Sequence, residues 1–461
     1  MANGGKYFYS KGEGNDGYIK NLEVLSFCDM DGTCGMFQMQ LYRTEAGRYL
    51  LYGACFAAGP NGVGIMISDV TDPKNPEFIK KWIPFDVDEY PTTSIPKLQI
   101  ADDKLVFALT SGGGPGALVG DRAKVKSMQG IMIYDLKKDP LNPDFLGYWD
   151  CGVPHSMGVH RFMYNGGDFV HLSAEAMEFE GLIYRIINIS DPTHPVEEGR
   201  WWAPHQYVDG YPGRTVDHSA GHVPDFMDKG WLHGPPFVVG DKAYLGYCGD
   251  GLYILDVSDF KRPRALGQLK LMPAFSSRLA GARTHTALPL PGRDLCVVMN
   301  EGERFQFFEK GSIKEAQAMN NIHMIDVSDP THPVLIAEFP YPEVPEDFPA
   351  PNFNTYALGC QGPFGPHNLH EPMDGKPWLE QRGDVVYDCY FHAGLRIYDV
   401  SDPFYIKEKA YFIPPNPVHE YFPFKGPRIA ATEDIVVDDR GNIIIDANED
   451  GFYILRKTYE D

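Results

Sequence analysis

Apolar and polar positions alternate along this chain in runs of five to seven residues, and the same run keeps returning. Gly251-Leu-Tyr-Ile-Leu-Asp-Val is one copy; a period of two over that length predicts a half-buried strand. In its fullest form, Ile322-His-Met-Ile-Asp-Val-Ser-Asp-Pro-Thr-His-Pro, the strand runs into turn chemistry, an Asp that caps the backbone and a Pro that presets it. Ile67-Ser-Asp-Val-Thr-Asp-Pro, Ile133-Tyr-Asp-Leu-Lys-Lys-Asp-Pro, Ile187-Asn-Ile-Ser-Asp-Pro and Ile397-Tyr-Asp-Val-Ser-Asp-Pro repeat it, and Gly451-Phe-Tyr-Ile-Leu-Arg-Lys-Thr is a truncated seventh copy. In a common register the marks fall at Asp69, Asp135, Asn188, Asp256, Asp326, Asp399 and Arg456, with gaps of 66, 53, 68, 70, 73 and 57 residues. Such self-similarity makes the fold one unit used seven times.

Each signature is followed by a second short strand, as in Val334-Leu-Ile-Ala-Glu-Phe, and preceded by a hairpin, as in Pro236-Phe-Val-Val-Gly-Asp-Lys-Ala-Tyr-Leu-Gly-Tyr. Every unit thus holds four strands, a to d, with the signature as strand c and its turn. The seventh unit has a, b and c, and the chain ends before a convincing d. Asn21-Leu-Glu-Val-Leu-Ser-Phe-Cys reads as a d strand with no signature before it. Pairing it with the last unit closes a ring and removes the exposed edges of an open array. The expectation is an all-β chain: a single seven-bladed β-propeller of four-stranded blades, one domain over residues 1–461. The Leu/Ile-x-Ile-x-Asp-Val-Ser-Asp-Pro cores resemble the LVIVD-repeat propellers. That resemblance covers nearly the whole chain and implies the fold, but not a chemistry.

Extra residues gather at 111–128, 203–232 and 341–366, all in d–a or b–c connections, which share one face of the ring. They predict a lid over that face, where a ligand site is expected. The 48 Gly, 38 Pro and 13% aromatic content suit short strands and tight turns. A net charge of −22 argues against nucleic acid and against anionic membrane surfaces as partners. Residues 1–20 are polar and Gly-rich without an apolar stretch, and no run is long enough to span a bilayer. The 8 cysteines sit singly. These features together predict a cytoplasmic protein with buried thiols, and its oligomeric state stays open.

Aligning the a strands on their hairpin turns brings Lys97, His160, His233, His285 and His370 to one height near the start of the innermost strand. His367 lies a turn away from His370, Glu433 takes the same height in blade 7, and Gln38 or Gln40 does so in blade 1. Inner strands line the axial channel, so four consecutive blades point imidazoles at the axis, an arrangement suited to holding a metal. The expected ligands are His160, His233, His285 and His370. The ion is divalent, Fe(II) before Mn, Zn or Cu. Glu301, placed beside His285 by the hairpin, is a candidate to orient the ligands or take part in catalysis, with Glu175, Glu371 and Glu433 near the same rim. Arg283, Arg161 and Arg428 are candidate clamps for a substrate carboxylate. His155, His392, His218 and His222 lie on rim loops as candidate acids, bases or alternative ligands. His194 and His332 belong to signature turns, where they are structural, and His171 and His323 to strand interiors, where they pack.

Two motifs lead elsewhere. Asp29-Met-Asp-Gly-Thr, after an apolar strand, resembles the nucleophile motif of haloacid dehalogenase-type phosphatases, which need crossover helices this chain lacks. Thr110-Ser-Gly-Gly-Gly-Pro-Gly has no Gly-Lys-Ser/Thr after it to make a phosphate cradle. The preferred reading is therefore a metalloenzyme acting on a small molecule, similar in site geometry to the four-histidine iron site of carotenoid cleavage oxygenases. A metal-dependent lyase or hydrolase, similar to oligogalacturonate lyase, is the second reading. A non-catalytic scaffold that binds a protein at its rim is the third.

Overall fold

The computed structural model describes residues 5–8, 16–33, 36–55, 62–111, 125–153, 156–208, 231–271, 284–301, 321–349, 353, 364–417, 430–447 and 450–460. Seven antiparallel sheets follow one another around a ring. Blade 1 is Gln38–Arg43, Tyr49–Cys55, Gly64–Asp69 and Glu77–Trp82. Blade 2 begins with an interrupted inner strand, Thr93–Ser94 and Leu98–Ala101, followed by Lys104–Ser111, Gly130–Asp135 and Asp144–Asp150. Blade 3 is Val159–Met163, Phe169–Ala174, Ile183–Asn188 and Val196–Trp201, and blade 4 is Phe237–Val239, Lys242–Tyr247, Gly251–Asp256 and Arg264–Leu269. Blade 5 runs Thr284–Pro289, Leu295–Asn300, Ile322–Asp326 and Val334–Glu338. Blade 6 is Phe364–Leu369, Val385–Phe391, Leu395–Asp399 and Lys407–Ile413, widened at its outer edge by Asp16–Lys20 and Gly5–Phe8. Blade 7 takes Ile435–Val437, Ile443–Asp446 and Phe452–Lys457 from the C-terminal end, and Leu22–Cys28 from the N-terminal end. The anticipated closure is present, from Leu22 opposite Lys457 to Cys28 opposite Phe452. The two strands added to blade 6 were not legible in the sequence.

The signature turns explain why the repeat carries two acids. Asp69, Asp135, Asn188, Asp256, Asp326 and Asp399 each accept a hydrogen bond from the backbone N–H two residues on. Three residues later, or four in blade 2, Asp72, Asp139, Asp191, Asp259, Asp329 and Asp402 do the same. Paired side-chain turns of this kind fix the c–d connection without a partner blade. Strands b and c are buried almost throughout, whereas outer strands such as Val334–Glu338 are half-exposed, so the cores lie between adjacent blades. Asp29-Met-Asp-Gly-Thr forms a short 3-10 turn after the closing strand, with the Asp29 side chain accepting from Asp31 N–H, a structural stop in an all-β ring. Much of the expected lid, residues 112–124, 209–230, 350–352 and 354–363, lies outside the described residues.

His171 and His323 are packed as expected. His171 Nδ1 is 2.8 Å from the Tyr184 hydroxyl and His323 Nε2 is 3.3 Å from Asn300 Oδ1. Burial pushes their pKa values down to about 3 and about 4. The unfolded chain takes up these protons near pH 6.5 while the folded chain does not, so stability is full above about pH 6.5 and falls as the pH drops toward 4. His171→Phe is expected to flatten that fall by about 1.4 kcal/mol per pH unit, read from denaturant midpoints between pH 6.5 and 4.5. An unchanged slope would refute the assignment. Removing residues 1–28 strips the outer strand from blade 7 and exposes the Phe452–Lys457 edge. That chain is expected to aggregate, checked by size-exclusion chromatography beside the full-length protein.

Candidate metal centre

The inner strands are not regular where they approach the loop-rich face. In blade 3, Val159 pairs with Ala174 but Arg161 with Ser173, so His160 is the extra residue of a β-bulge. In blade 5, Thr284 pairs with Asn300 and Thr286 with Met299, which leaves His285 in the same position. Blade 4 has an irregular entry and blade 6 a wider bulge. His233 N–H donates to Gly246 O while Phe237 pairs with Tyr244; Phe364 pairs with Phe391 and Asn368 with Cys389, enclosing Gly365-Pro-His367. A bulge breaks the period of two and re-aims a side chain. Here three bulges, and the irregular entry into blade 4, bring four imidazoles together in the channel.

Ring centroids are 4.8 Å apart from His160 to His233, 4.4 Å from His233 to His285 and 5.0 Å from His285 to His367. Two glycines allow this spacing. A Cβ on Gly234 would stand 1.9 Å from the His285 carbonyl oxygen, and one on Gly246 would stand 2.6 Å from it. Glu301, just past strand b of blade 5, reaches the same point: its carboxylate is 3.4 Å from His233 Nδ1 and 3.9 Å from His367 Nε2. One ligand atom from each of His233, His285 and Glu301 lies within 4.8 Å of the others. An ion about 2.1 Å from each ligand keeps those ligands within about 4.2 Å of one another, so small side-chain rotations would close the present span.

The protonation pattern suits ligation. His367 Nδ1 is 2.9 Å from the Glu433 carbonyl oxygen, an acceptor, so Nδ1 carries the proton and Nε2 presents its lone pair. The Glu433 carboxylate is 3.1 Å from the same Nδ1. His285 Nδ1 bonds the Thr286 hydroxyl at 2.7 Å, and its Nε2 has no hydrogen-bond partner among the described residues. Burial, then the nearby Arg161 charge, holds both His285 and His367 well below the ordinary imidazole range, which keeps them neutral. Burial pushes the Glu433 carboxyl up to about 8 and Asp434 up to about 7.

His370, expected as the blade 6 ligand, is engaged elsewhere. Its Nδ1 accepts from Val437 N–H at 3.2 Å, which ties it to blade 7, and its Nε2 donates to Glu380 O at 2.9 Å in the a–b connection of its own blade, so both nitrogens are engaged outside the cluster. The two extra residues in the bulge explain the difference: counting back from the hairpin turn selects His370, while the turned-in imidazole is His367. His392 lies on the b–c turn of blade 6 with Nδ1 2.5 Å from Ala430 O, next to Phe391, whose ring stacks on His367 at 4.6 Å. Gln38 Oε1 accepts from Leu98 N–H and Gln40 Oε1 from Lys376 Nζ. Glu175 accepts from Met157 N–H and Glu371 from Gln99; each carboxylate ties neighbouring segments. His155, Arg283, His218, His222 and Arg428 lie outside the described residues. His194 and His332 are exposed in their turns, each within 3 Å of the preceding Thr hydroxyl.

Comparisons with known proteins bear on the fold. The LVIVD repeat model matches residues 181–202, 237–267 and 316–339, which fall in blades 3, 4 and 5. No curated protein sequence matches the chain. Among solved structures, the periplasmic gluconolactonase of Pseudomonas aeruginosa is similar at 10% identity over 89% of this chain and 98% of that one, with a TM-score of 0.49. A protein of Lactobacillus plantarum is similar at 12% identity over 86% and 90%, with a TM-score of 0.48. The β-propeller domain of Cps50 from Myceliophteria thermophila is similar at 10% over 95% and 100%, with a TM-score of 0.48. Sheet order and ring closure make the chain a seven-bladed β-propeller, and it carries LVIVD repeats in blades 3, 4 and 5.

Proposed function

We propose that the channel centre binds a divalent transition metal and that the protein is a metal-dependent enzyme, an Fe(II) oxygenase acting on a small organic molecule. The observation that carries this reading is the convergence of His233, His285 and Glu301, with His367 at the next corner and His160 stacked behind His233. Two imidazoles and one carboxylate with further positions open is the donor set of non-haem Fe(II) oxygenases. Glu301, expected to orient or catalyse, becomes a ligand in this reading and offsets one unit of the ion's charge.

Bound iron would supply O2 activation; the chain supplies the rest. Glu433 holds His367 in the tautomer that offers Nε2, Thr286 fixes the ring of His285, and Trp231, with its ring 4.8 Å from that of His233, walls the site with apolar surface. A second reading, a metal-assisted lyase or hydrolase, draws support from Glu433: a carboxyl pushed up to about 8 is protonated at neutral pH and suits an acid.

Elemental analysis of the purified protein is expected to find about one iron per chain. His285→Ala and His367→Ala are each expected to lower metal occupancy at least about tenfold. His370→Ala is expected to retain the metal while losing about 1–3 kcal/mol of stability per orphaned backbone group. Metal-free wild-type protein after reconstitution, or full occupancy in His285→Ala, would sink the metal centre. O2 consumption dependent on an added organic substrate is expected in an oxygen-electrode screen; turnover without O2, equally supported by Mn or Zn, would establish the lyase or hydrolase reading instead.

A further inference from the structure

Beside the imidazoles the channel holds two cations that no carboxylate touches among the described residues. Lys97 is 1% exposed and Arg161 3%, and neither forms an ion pair among the described residues. Lys97 stands in the gap between Thr93–Ser94 and Leu98–Ala101, with its ammonium 3.9 Å above the centre of the Phe37 ring. Its Nζ has no hydrogen-bond partner among the described residues. Arg161 follows His160 in the chain and donates from Nη2 to Asn368 Oδ1, which leaves Asn368 Nδ2 also without a partner among the described residues. Phe37 lies 6.2 Å from the His367 ring and Asn368 is the residue after His367, so the spare donors gather at one corner of the imidazole cluster. The charges are close enough to act on one another. After burial, Arg161 is the largest influence lowering Lys97, which falls to about 7, and both cations lower His367.

Two like charges, taken out of water and left with unused donors, are costly unless an anion completes them. We infer that Lys97, Arg161 and Asn368 bind the carboxylate of a small organic acid, whose apolar body lies against Phe37 and Phe391 beside His367. A guanidinium fork with an amide and an ammonium suits a planar two-oxygen acceptor. A doubly charged phosphate fits less well, because the Glu301 and Glu371 carboxylates already act on Arg161 and would repel a second negative charge. The inference rests on the proposed metal centre only in treating this acid as the substrate; the binding itself needs no metal.

The test is calorimetric titration of benzoate, with benzamide as the neutral isostere, into wild type, Lys97→Met and Lys97→Arg, each with its metal content measured. Benzoate is expected to bind wild type, to weaken at least about tenfold in Lys97→Met and to recover in Lys97→Arg; benzamide is expected to bind wild type more weakly than benzoate and to be indifferent to the substitution. Lys97→Gln replaces the Met variant if that chain does not fold. No benzoate binding to wild type, equal affinity in the neutral variant, or benzamide binding as tightly as benzoate overturns the inference. The two readings fail separately: a metal-loaded protein indifferent to Lys97 overturns the carboxylate site alone. A metal-free protein whose benzoate affinity still depends on Lys97 overturns the metal centre alone.

Discussion

The pairing of Leu22–Cys28 with Phe452–Lys457 is the constraint on which the rest depends. An open stack of seven twisted sheets has two free edges and no fixed radius. Closing it makes each inner strand's distance from the axis a property of the whole ring. Imidazoles from four different blades can then stand 4.4 to 5.0 Å apart, three on inner strands and His233 on the connection that leads into one. The strands Asp16–Lys20 and Gly5–Phe8 on the edge of blade 6 extend the same device, because Asn21 leads directly from one blade's edge into the next blade's closing strand.

Within that frame the inner strands depart from regularity where chemistry is placed. Bulges cost ladder hydrogen bonds, and they occur at His160, His285 and His367, while His233 stands on the irregular entry into blade 4. Lys97 stands at a similar interruption in blade 2. Gly234 and Gly246 bring two blades into backbone contact at His285, a closeness no other residue type permits. The electrostatics follow from the same burial. Desolvation is the largest influence on His285, His367, Lys97, Glu433 and Asp434 alike; it penalises the charged form of each and leaves neutral imidazoles where ligands are wanted.

Much of this was legible in the residue pattern. The seven signatures gave the blade count, the orphan strand at 21–28 gave the closure, and the Asp side chains of the repeat turned out to cap backbone N–H groups as turn chemistry requires. His160, His233 and His285 were placed by counting back from hairpin turns, and the structure brings those three together. The count failed at blade 6 because it assumes one residue opposite one. Two extra residues between Phe364 and Asn368 put His367 in the channel, and His370 in a backbone link between blades.

The sequence by itself determined the architecture, because period-two alternation, capped turns and a missing seventh partner are local signals that repetition makes unambiguous. It also determined which residue types stand near the channel mouth. Only the tertiary structure decided which atoms meet: that Glu301 reaches His233 from the neighbouring blade, that Glu433 sets the tautomer of His367, and that Lys97 and Arg161 share a corner with no carboxylate of the described residues in contact. The physical reason is that a bulge changes a side chain's direction without changing the apolar pattern around it. Direction inside a closed ring is fixed by blades far apart in the chain.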